Sequence, residues 1–339
     1  MSPVTPRVRA VAVTAAGAML AAVAVVYTVH AADRADTSSA VTSSHVTPGD
    51  TAGLYLRTAK GTVAVQPTTR TGGTAREETA LSCRRFHTSG GTAVCLTTRP
   101  GLRPMTRAVI LDDTLRTRRT VDFGGTPNRA RVSPSGRVVS WTVFVSGDSY
   151  ATSAFSTRTG ILDTRTGYLI KSMETIQLYL DGKRHHAPDV NYWGVTFTDD
   201  DNRFYATVST GGRTHLVEGD LRTWKAHTLR TNVECPSLSP DGKRIAFKKR
   251  VREGAGNPWR LHVLDLATMR ETPLAETHSV DDQAAWLGDG TVAYALPRGT
   301  NSSDIWSVPA DGTGTPRLIA RDASSPSWVP PARSDTSPR

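Results

Sequence analysis

The chain has 339 residues, with 28 Gly, 20 Pro and a formal charge of +10; only seven of its 41 basic residues are Lys. Long helical apolar patterns are few, which argues against a helical bundle and suits an all-β chain with many turns. The positive charge allows attraction to anionic wall polymers or lipid head groups, whereas nucleic acid is not expected as a partner of an exported protein.

Residues 1–31 read as an export segment. Arg7 and Arg9 precede a nearly unbroken apolar run from Ala10 to Tyr27, and Val29-His30-Ala31 fits the small-x-small rule for signal cleavage. Cleavage there would remove two basic residues and leave +10 minus 2, or +8. The run is also close to the ~20 residues that span a bilayer, so an uncleaved anchor is the alternative. On either reading the body lies outside the cytoplasm, secreted or tethered to the cytoplasmic membrane. Residues 32–52 are rich in Ser, Thr, Ala and Asp and read as a flexible linker.

From Gly53 the text becomes strand-like. Leu54-Tyr55-Leu56-Arg57 and Thr62-Val63-Ala64-Val65 alternate around a turn at Lys60-Gly61. A repeat then begins, clearest in Ser239-Pro240-Asp241-Gly242-Lys243-Arg244-Ile245-Ala246-Phe247. Proline presets φ, aspartate caps the turn with its own side chain, and glycine accepts the positive φ that closes it. The same grammar recurs at Ser133-Pro134-Ser135-Gly136, at Thr198-Asp199-Asp200-Asp201-Asn202, at Leu287-Gly288-Asp289-Gly290 and, in degenerate form, at Ser89-Gly90-Gly91. Taking Gly91, Gly136, Asn202, Gly242 and Gly290 as equivalent, the spacings are 45, 66, 40 and 48. The long second unit carries an extra hairpin around Asp181-Gly182. The others match the ~40–45 residue period of a four-stranded propeller blade. Pro326-Ser327-Trp328 reads as an innermost strand lacking its blade, and the strands at Leu54 and Thr62 as a blade lacking its start. Joined, they close the ring. The expected fold is an all-β propeller of six four-stranded blades over residues 53–330, closed by strands from both termini, with residues 331–339 a solvated tail.

The Ser-Pro-Asp-Gly-Lys-Arg-Ile-Ala-Phe copy resembles the WD40-like repeat of TolB-type β-propellers. Trp193-Gly194-Val195-Thr196-Phe197 and Val233-Glu234-Cys235-Pro236-Ser237-Leu238 are similar to exported TolB-like proteins of actinobacteria. The resemblance covers about residues 80–330. It implies the architecture and, from the family's name-giving member, partner binding in the cell envelope. That member also has a separate N-terminal α/β domain, for which Ala32–Thr79 leaves no room.

Chemistry is sparse. No Gly-x-Ser-x-Gly nucleophile elbow is present, so a serine hydrolase is not expected. Asp199-Asp200-Asp201-Asn202 reads as a turn rather than a calcium loop, because no distal bidentate carboxylate follows. No cofactor or metal is expected. Cys83 and Cys95 flank the Ser89-Gly90-Gly91 turn, and a hairpin centred there would set them almost opposite, as a disulfide or as two buried thiols. Cys235 reads as a small buried apolar residue. The basic run Lys248-Lys249-Arg250-Val251-Arg252 reads as a solvated strand end and loop, with contact to anionic wall or lipid as the alternative. In a propeller the innermost strands line an axial channel, and the residues at their starts converge on its mouth. Those positions hold Arg129, Arg131, Asn191, Glu234, Asp281 and Asp282, a candidate ring for a small ligand or a partner's peptide.

The expected function is non-catalytic extracytoplasmic binding, as a monomeric scaffold engaging an envelope protein, an extracellular protein or a small ligand. Two alternatives stand beside it. One is a propeller hydrolase or lyase using channel-mouth carboxylates. The other is a basic module docking to anionic wall or lipid.

Overall fold

The turn grammar builds each blade through a repeated set of hydrogen bonds. Ser239 N donates to Arg244 O (2.8 Å), Gly242 N to Ser239 O (2.9 Å) and Arg244 N to Ser239 Oγ (3.0 Å). Ser133 repeats the set with Val138 and Gly136 at 2.8, 2.9 and 3.0 Å. The computed structural model describes residues 51–67, 76–101, 105–145, 156–252, 257–300 and 302–331. The export segment, nearly all of the linker and most of the tail lie outside the described residues. Among the described residues no helix is long and apolar enough to cross a membrane.

Strands β1 (Gly53–Thr58), β2 (Thr62–Pro67) and β3 (Glu77–Ser82) form the first blade, whose innermost place is taken by the last strand of the chain. The second blade is β4 (Arg85–Ser89), β5 (Thr92–Arg99), β6 (Met105–Leu111) and β7 (Thr117–Gly124). The third is β8 (Thr126–Val132), β9 (Val138–Val145), β10 (Ser156–Asp163) and the short β11 (Leu169–Ile170). A hairpin, β12 (Gln177–Leu180) and β13 (Lys183–His185), follows before the fourth blade: β14 (Asn191–Phe197), β15 (Arg203–Thr210), β16 (Arg213–Asp220) and β17 (Lys225–Thr231). The fifth is β18 (Glu234–Leu238), β19 (Arg244–Arg250), β20 (Trp259–Asp265) and β21 (Glu271–Pro273). The sixth is β22 (Ala285–Trp286), β23 (Thr291–Arg298), β24 (Ser302–Pro309) and β25 (Arg317–Ala320), and β26 (Ala323–Val329) then returns to the first blade beside β1. The six sheets are those expected. The extra hairpin follows the second repeat in sequence, as read, but it attaches to the next blade. β12 pairs in parallel with β17, making the fourth blade six-stranded.

Strand alternation explains why the sheets close into a ring. On β19, Ile245 and Phe247 pack with Tyr205 and Leu216 of the fourth blade, while Ala246 between them faces Trp286 and Tyr294 of the sixth. Each face of a blade is therefore buried against a different neighbour. Full burial of a side chain of this size contributes about 1.5–3 kcal/mol. Six apolar clusters, one per seam, repeat this around the ring; Leu54 and Leu56 against Ile305 and Ala293 make the closing seam. At the axis, Thr88 N donates to Ser327 Oγ (3.0 Å), which donates back to Thr88 O (2.9 Å), tying β26 to β4.

The equivalent turn positions shift slightly from those read in the sequence. Asp201, at φ +53°, and not Asn202, takes the left-handed place in the third turn; in the last turn Gly288, at φ +73°, takes it rather than Gly290. Asp200 caps the third turn by accepting from Asn202 N and Arg203 N, both at 2.9 Å, so the acidic run is a turn device. Among the described residues no group of three or more His, Cys, Asp or Glu could hold a metal ion.

Two turn glycines meet across a seam. A Cβ on Gly136 (φ +80°) would stand 2.2 Å from Gly90 O, whereas one on Gly242 (φ +68°) would meet nothing within 4 Å. Gly136→Ala therefore combines backbone strain with a backbone clash. It is expected to lower stability by well over the ~1 kcal/mol of strain alone, and Gly242→Ala by about that amount, as compared by urea denaturation.

Cys83 and Cys95 form a disulfide, with Cα atoms 5.4 Å apart. The hairpin register differs from the expectation. Cys95 lies opposite Phe86, while Cys83 sits in the segment entering the blade, where its N donates to Gly61 O (2.9 Å). The bond thus joins the crossing from the first blade to the second strand of the next.

Candidate binding channel

The innermost strands bring five of the six candidate residues to one end of the axis. Arg129 and Arg131 lie within β8 on the same strand face, two residues apart, while Asp281 and Asp282 precede β22 and Glu234 opens β18. Arg129 is 8 % exposed; its Nη1 lies 3.4 Å from Asp282 Oδ1 and donates to Asn128 Oδ1 (2.7 Å), and its Nη2 donates to Asp281 O (3.3 Å). Asp282 also faces Arg85 Nη1 at 3.7 Å. Arg131 crosses the axis, donating from Nη2 to Ser237 Oγ (3.3 Å) and Ala284 O (3.2 Å), with Nη1 3.1 Å from His87 Nε2. Burial, reinforced by Arg131, drives the His87 pKa well below the usual imidazole range, so the ring is neutral at physiological pH.

Glu234 pairs with a residue read in the sequence as solvated. Lys248 is 5 % exposed. Its ammonium lies 3.7 Å from Glu234 Oε2, bonds Asp281 Oδ1, and stands 4.2 Å from the centre of the Trp259 ring. Burial pushes the Glu234 carboxyl up, and Lys248 pulls it back only in part. The Asp281 carboxyl is also raised by desolvation, but Lys248 and then Arg129 outweigh this and leave it below the usual range. Cys235, buried at φ +49°, has its thiol against the Arg129 guanidinium and its N bonded to Thr207 Oγ1 at 2.9 Å. The signal for Lys248 was available: β18 and β19 place an acid directly opposite a base, Glu234 against Lys248. Arg85 and His87 were missed because the degenerate repeat was read only for its turn.

The axis has three parts. On the face where the inner strands begin, a cavity of about 460 Å³ is lined by Arg85, Asp281, Asp282, Arg250 and Trp259. A neck of about 30 Å³ follows, between Arg85, Arg129, Arg131, Asp282 and Ser325. Beyond Arg131 and His87 a cup of about 610 Å³ opens on the face bearing the repeat turns. Its wall includes Phe197, Leu238, Pro240, Trp286 and Trp328, with Asp199 and Asp289 at the rim. Trp286 is fixed there by Nε1 donating to Ser237 O (2.8 Å) and by Arg244 5.3 Å from its ring centre.

Asn191 stands outside this constellation. Its Oδ1 accepts from Ser156 Oγ (2.8 Å) and Thr157 N (3.1 Å), so it ties the third blade to the fourth along a separate cleft of about 330 Å³. In that cleft burial pushes the Glu174 carboxyl up to about 7, against smaller opposing backbone hydrogen bonds. Between 4.5 and about 7 the folded protein keeps a proton that the unfolded chain has released. Glu174 thus contributes stability below that window, and the contribution is lost as pH rises through it. Glu174→Gln is expected to flatten this slope and to gain about 2 kcal/mol at pH 8 but little at pH 4, as read by urea denaturation. Partial exposure keeps the figure below that of the full shift.

No protein-family description and no curated protein matches the sequence. Solved structures do resemble the fold. TolB from Acinetobacter baumannii is 17% identical over 84% of this chain and 67% of its own, with a TM-score of 0.57. A chain of a nidogen/laminin complex is 12% identical over 81% of this chain and 97% of its own, at 0.50. A puromycin-hydrolyzing peptidase from Mycobacterium tuberculosis is 16% identical over 80% of this chain but 45% of its own, at 0.47. At these identities the likeness is one of fold alone: the chain is a six-bladed β-propeller.

Proposed function

We propose that the protein is a non-catalytic, extracytoplasmic binding protein that holds a segment of an envelope or extracellular partner in its axial channel. The observation that carries this reading is the turn-face cup. Its apolar and aromatic wall, polar floor at Arg131 and rim of turn residues suit an extended polypeptide, with apolar side chains on the wall and a polar group toward the floor. The charges at the other end are paired with one another and act by holding the inner strands in place. The disulfide between Cys83 and Cys95 supports an oxidising compartment. The test is capture of bound polypeptides from intact cells by the wild-type protein and by Asp199→Arg, Glu234→Ala and Asp282→Ala, with folding checked by thermal denaturation. A specific polypeptide lost with Asp199→Arg while the fold persists is the expected result. Equal capture by all four proteins would sink the reading.

One observation favours an enzyme as the second reading. Glu234 and Asp281 share Lys248, yet the first carboxyl is shifted up and the second down, the kind of divergence that separates a general acid from a base. Glu234→Gln would then abolish turnover of a bound ligand without abolishing its binding.

A further inference from the structure

Among the described residues, Arg85 and Arg129 both pair with Asp282, whereas Arg131 makes no ion pair. Arg131 meets neutral groups: Nη2 donates to Ser237 Oγ and Ala284 O, and Nη1 faces His87 Nε2. Burial pulls its pKa down to about 10, and Asp282 opposes this only in part, so the guanidinium stays charged with that charge under-compensated. The contact with His87 adds a conflict. The Val132 N–H donates to His87 Nδ1 at 3.2 Å, which puts the proton of the neutral ring on Nε2. Nε2–H then faces Arg131 Nη1 3.1 Å away, a donor against a donor. An acceptor placed against both removes the conflict. Both residues line the turn-face cup, and both are half-buried rather than sealed, so a ligand in the cup can reach them.

We propose that the cup binds the C-terminal end of a partner polypeptide, with the α-carboxylate accepting from Arg131 Nη1 and His87 Nε2. This rests on the reading of the cup as a polypeptide site and adds which end of the chain enters. A carboxylate supplies the acceptors and the negative charge that the floor lacks, whereas a terminal amine would meet a guanidinium. Behind the floor stands the Arg129–Asp282 pair, 3.4 Å apart, with Arg129 buried. It bars the axis, so a chain entering from the turn face has to stop or turn back at Arg131. Asp199 and Asp289, both exposed at the rim, disfavour a ligand that is acidic along its length. The wall of Phe197, Leu238, Trp286 and Trp328 suits apolar residues just before the carboxylate.

The test uses the purified protein and an array of short synthetic peptides ending in apolar residues, each made as the free acid and as the C-terminal amide. Some of the free acids are expected to bind, and their amides at least about tenfold more weakly. An amide carrying one internal glutamate has the same charge as the free acid and is expected to bind no better than the plain amide. Arg131→Gln is expected to bring the acid down to the level of the amide without weakening the amide, a change that a purely structural role would not produce. If Arg131→Gln does not fold, the comparison of acid and amide on the wild-type protein decides alone. Equal binding of acid and amide, or recovery of binding by the internal glutamate, would overturn the assignment; if that binding is lost with Asp199→Arg, the cup is still the polypeptide site. Binding of no peptide would also overturn it, and capture from intact cells then decides the reading of the cup by itself.

Discussion

Lys248→Met is expected to destabilise the protein by about 3 kcal/mol at pH 8, the lower end of what breaking a buried ion pair costs. The side chain is buried in the middle strand of the fifth blade, between Glu234, Asp281 and the Trp259 ring. Asp281, with 68 % of its side chain exposed, can turn to water when the ammonium is lost. Glu234, at 11 %, cannot. Its carboxyl is already shifted up by burial, and without Lys248 it rises further. The folded variant then holds a proton that its unfolded chain releases above the ordinary carboxylate range. The loss should therefore grow as pH rises and shrink toward pH 5. Lys248→Met combined with Glu234→Gln should recover most of the stability, because no buried charge is left unpaired. Urea denaturation of the three variants at pH 5 and pH 8 measures both effects. A loss independent of pH, with no recovery in the double variant, would mean that Lys248 contributes by packing alone.

Loss of the Cys83–Cys95 bond should cost a similar amount, about 3 kcal/mol for a closed loop of roughly this length. The bond spans a separation of 12 residues and holds the crossing between the first two blades. Replacing both cysteines with Ser, or reducing the protein, should lower the denaturation midpoint without changing the fold. Unfolded oxidised protein should expose one reactive thiol, Cys235, and reduced protein three. Three reactive thiols without reductant, or equal midpoints for both forms, would remove the bond from the account.

The architecture was legible because it rests on local rules repeated around the ring. Turn residues, strand alternation and a near-constant spacing each report the same blade, and the incomplete copies at both ends pointed to closure between β26 and β1. The channel was legible only in part. Arg129, Arg131, Glu234, Asp281 and Asp282 converge as inner-strand counting expected, but Asn191 at the start of β14 turns to the adjacent seam, where Ser156 and Thr157 offer it partners. Lys248 was hidden in a basic run. Charge alone suggests solvent, and only the pairing of β18 with β19 shows that Lys248 points to the axis while Lys249 reaches Glu271 on another face. The hairpin at Asp181-Gly182 was visible as a hairpin, but its parallel attachment to β17 is a long-range contact that no local pattern encodes.

The most direct test of the channel as the binding surface is photocrosslinking in intact cells from two positions. Asp199 stands at the rim of the turn-face cup, and Tyr168, 69 % exposed, lies on the outer side of the third blade between β10 and β11. A photoreactive residue at 199 should join the protein to a discrete polypeptide, and one at 168 should not. Crosslinks from 168 with none from 199 would move binding to the outer surface and contradict the assignment of the axis.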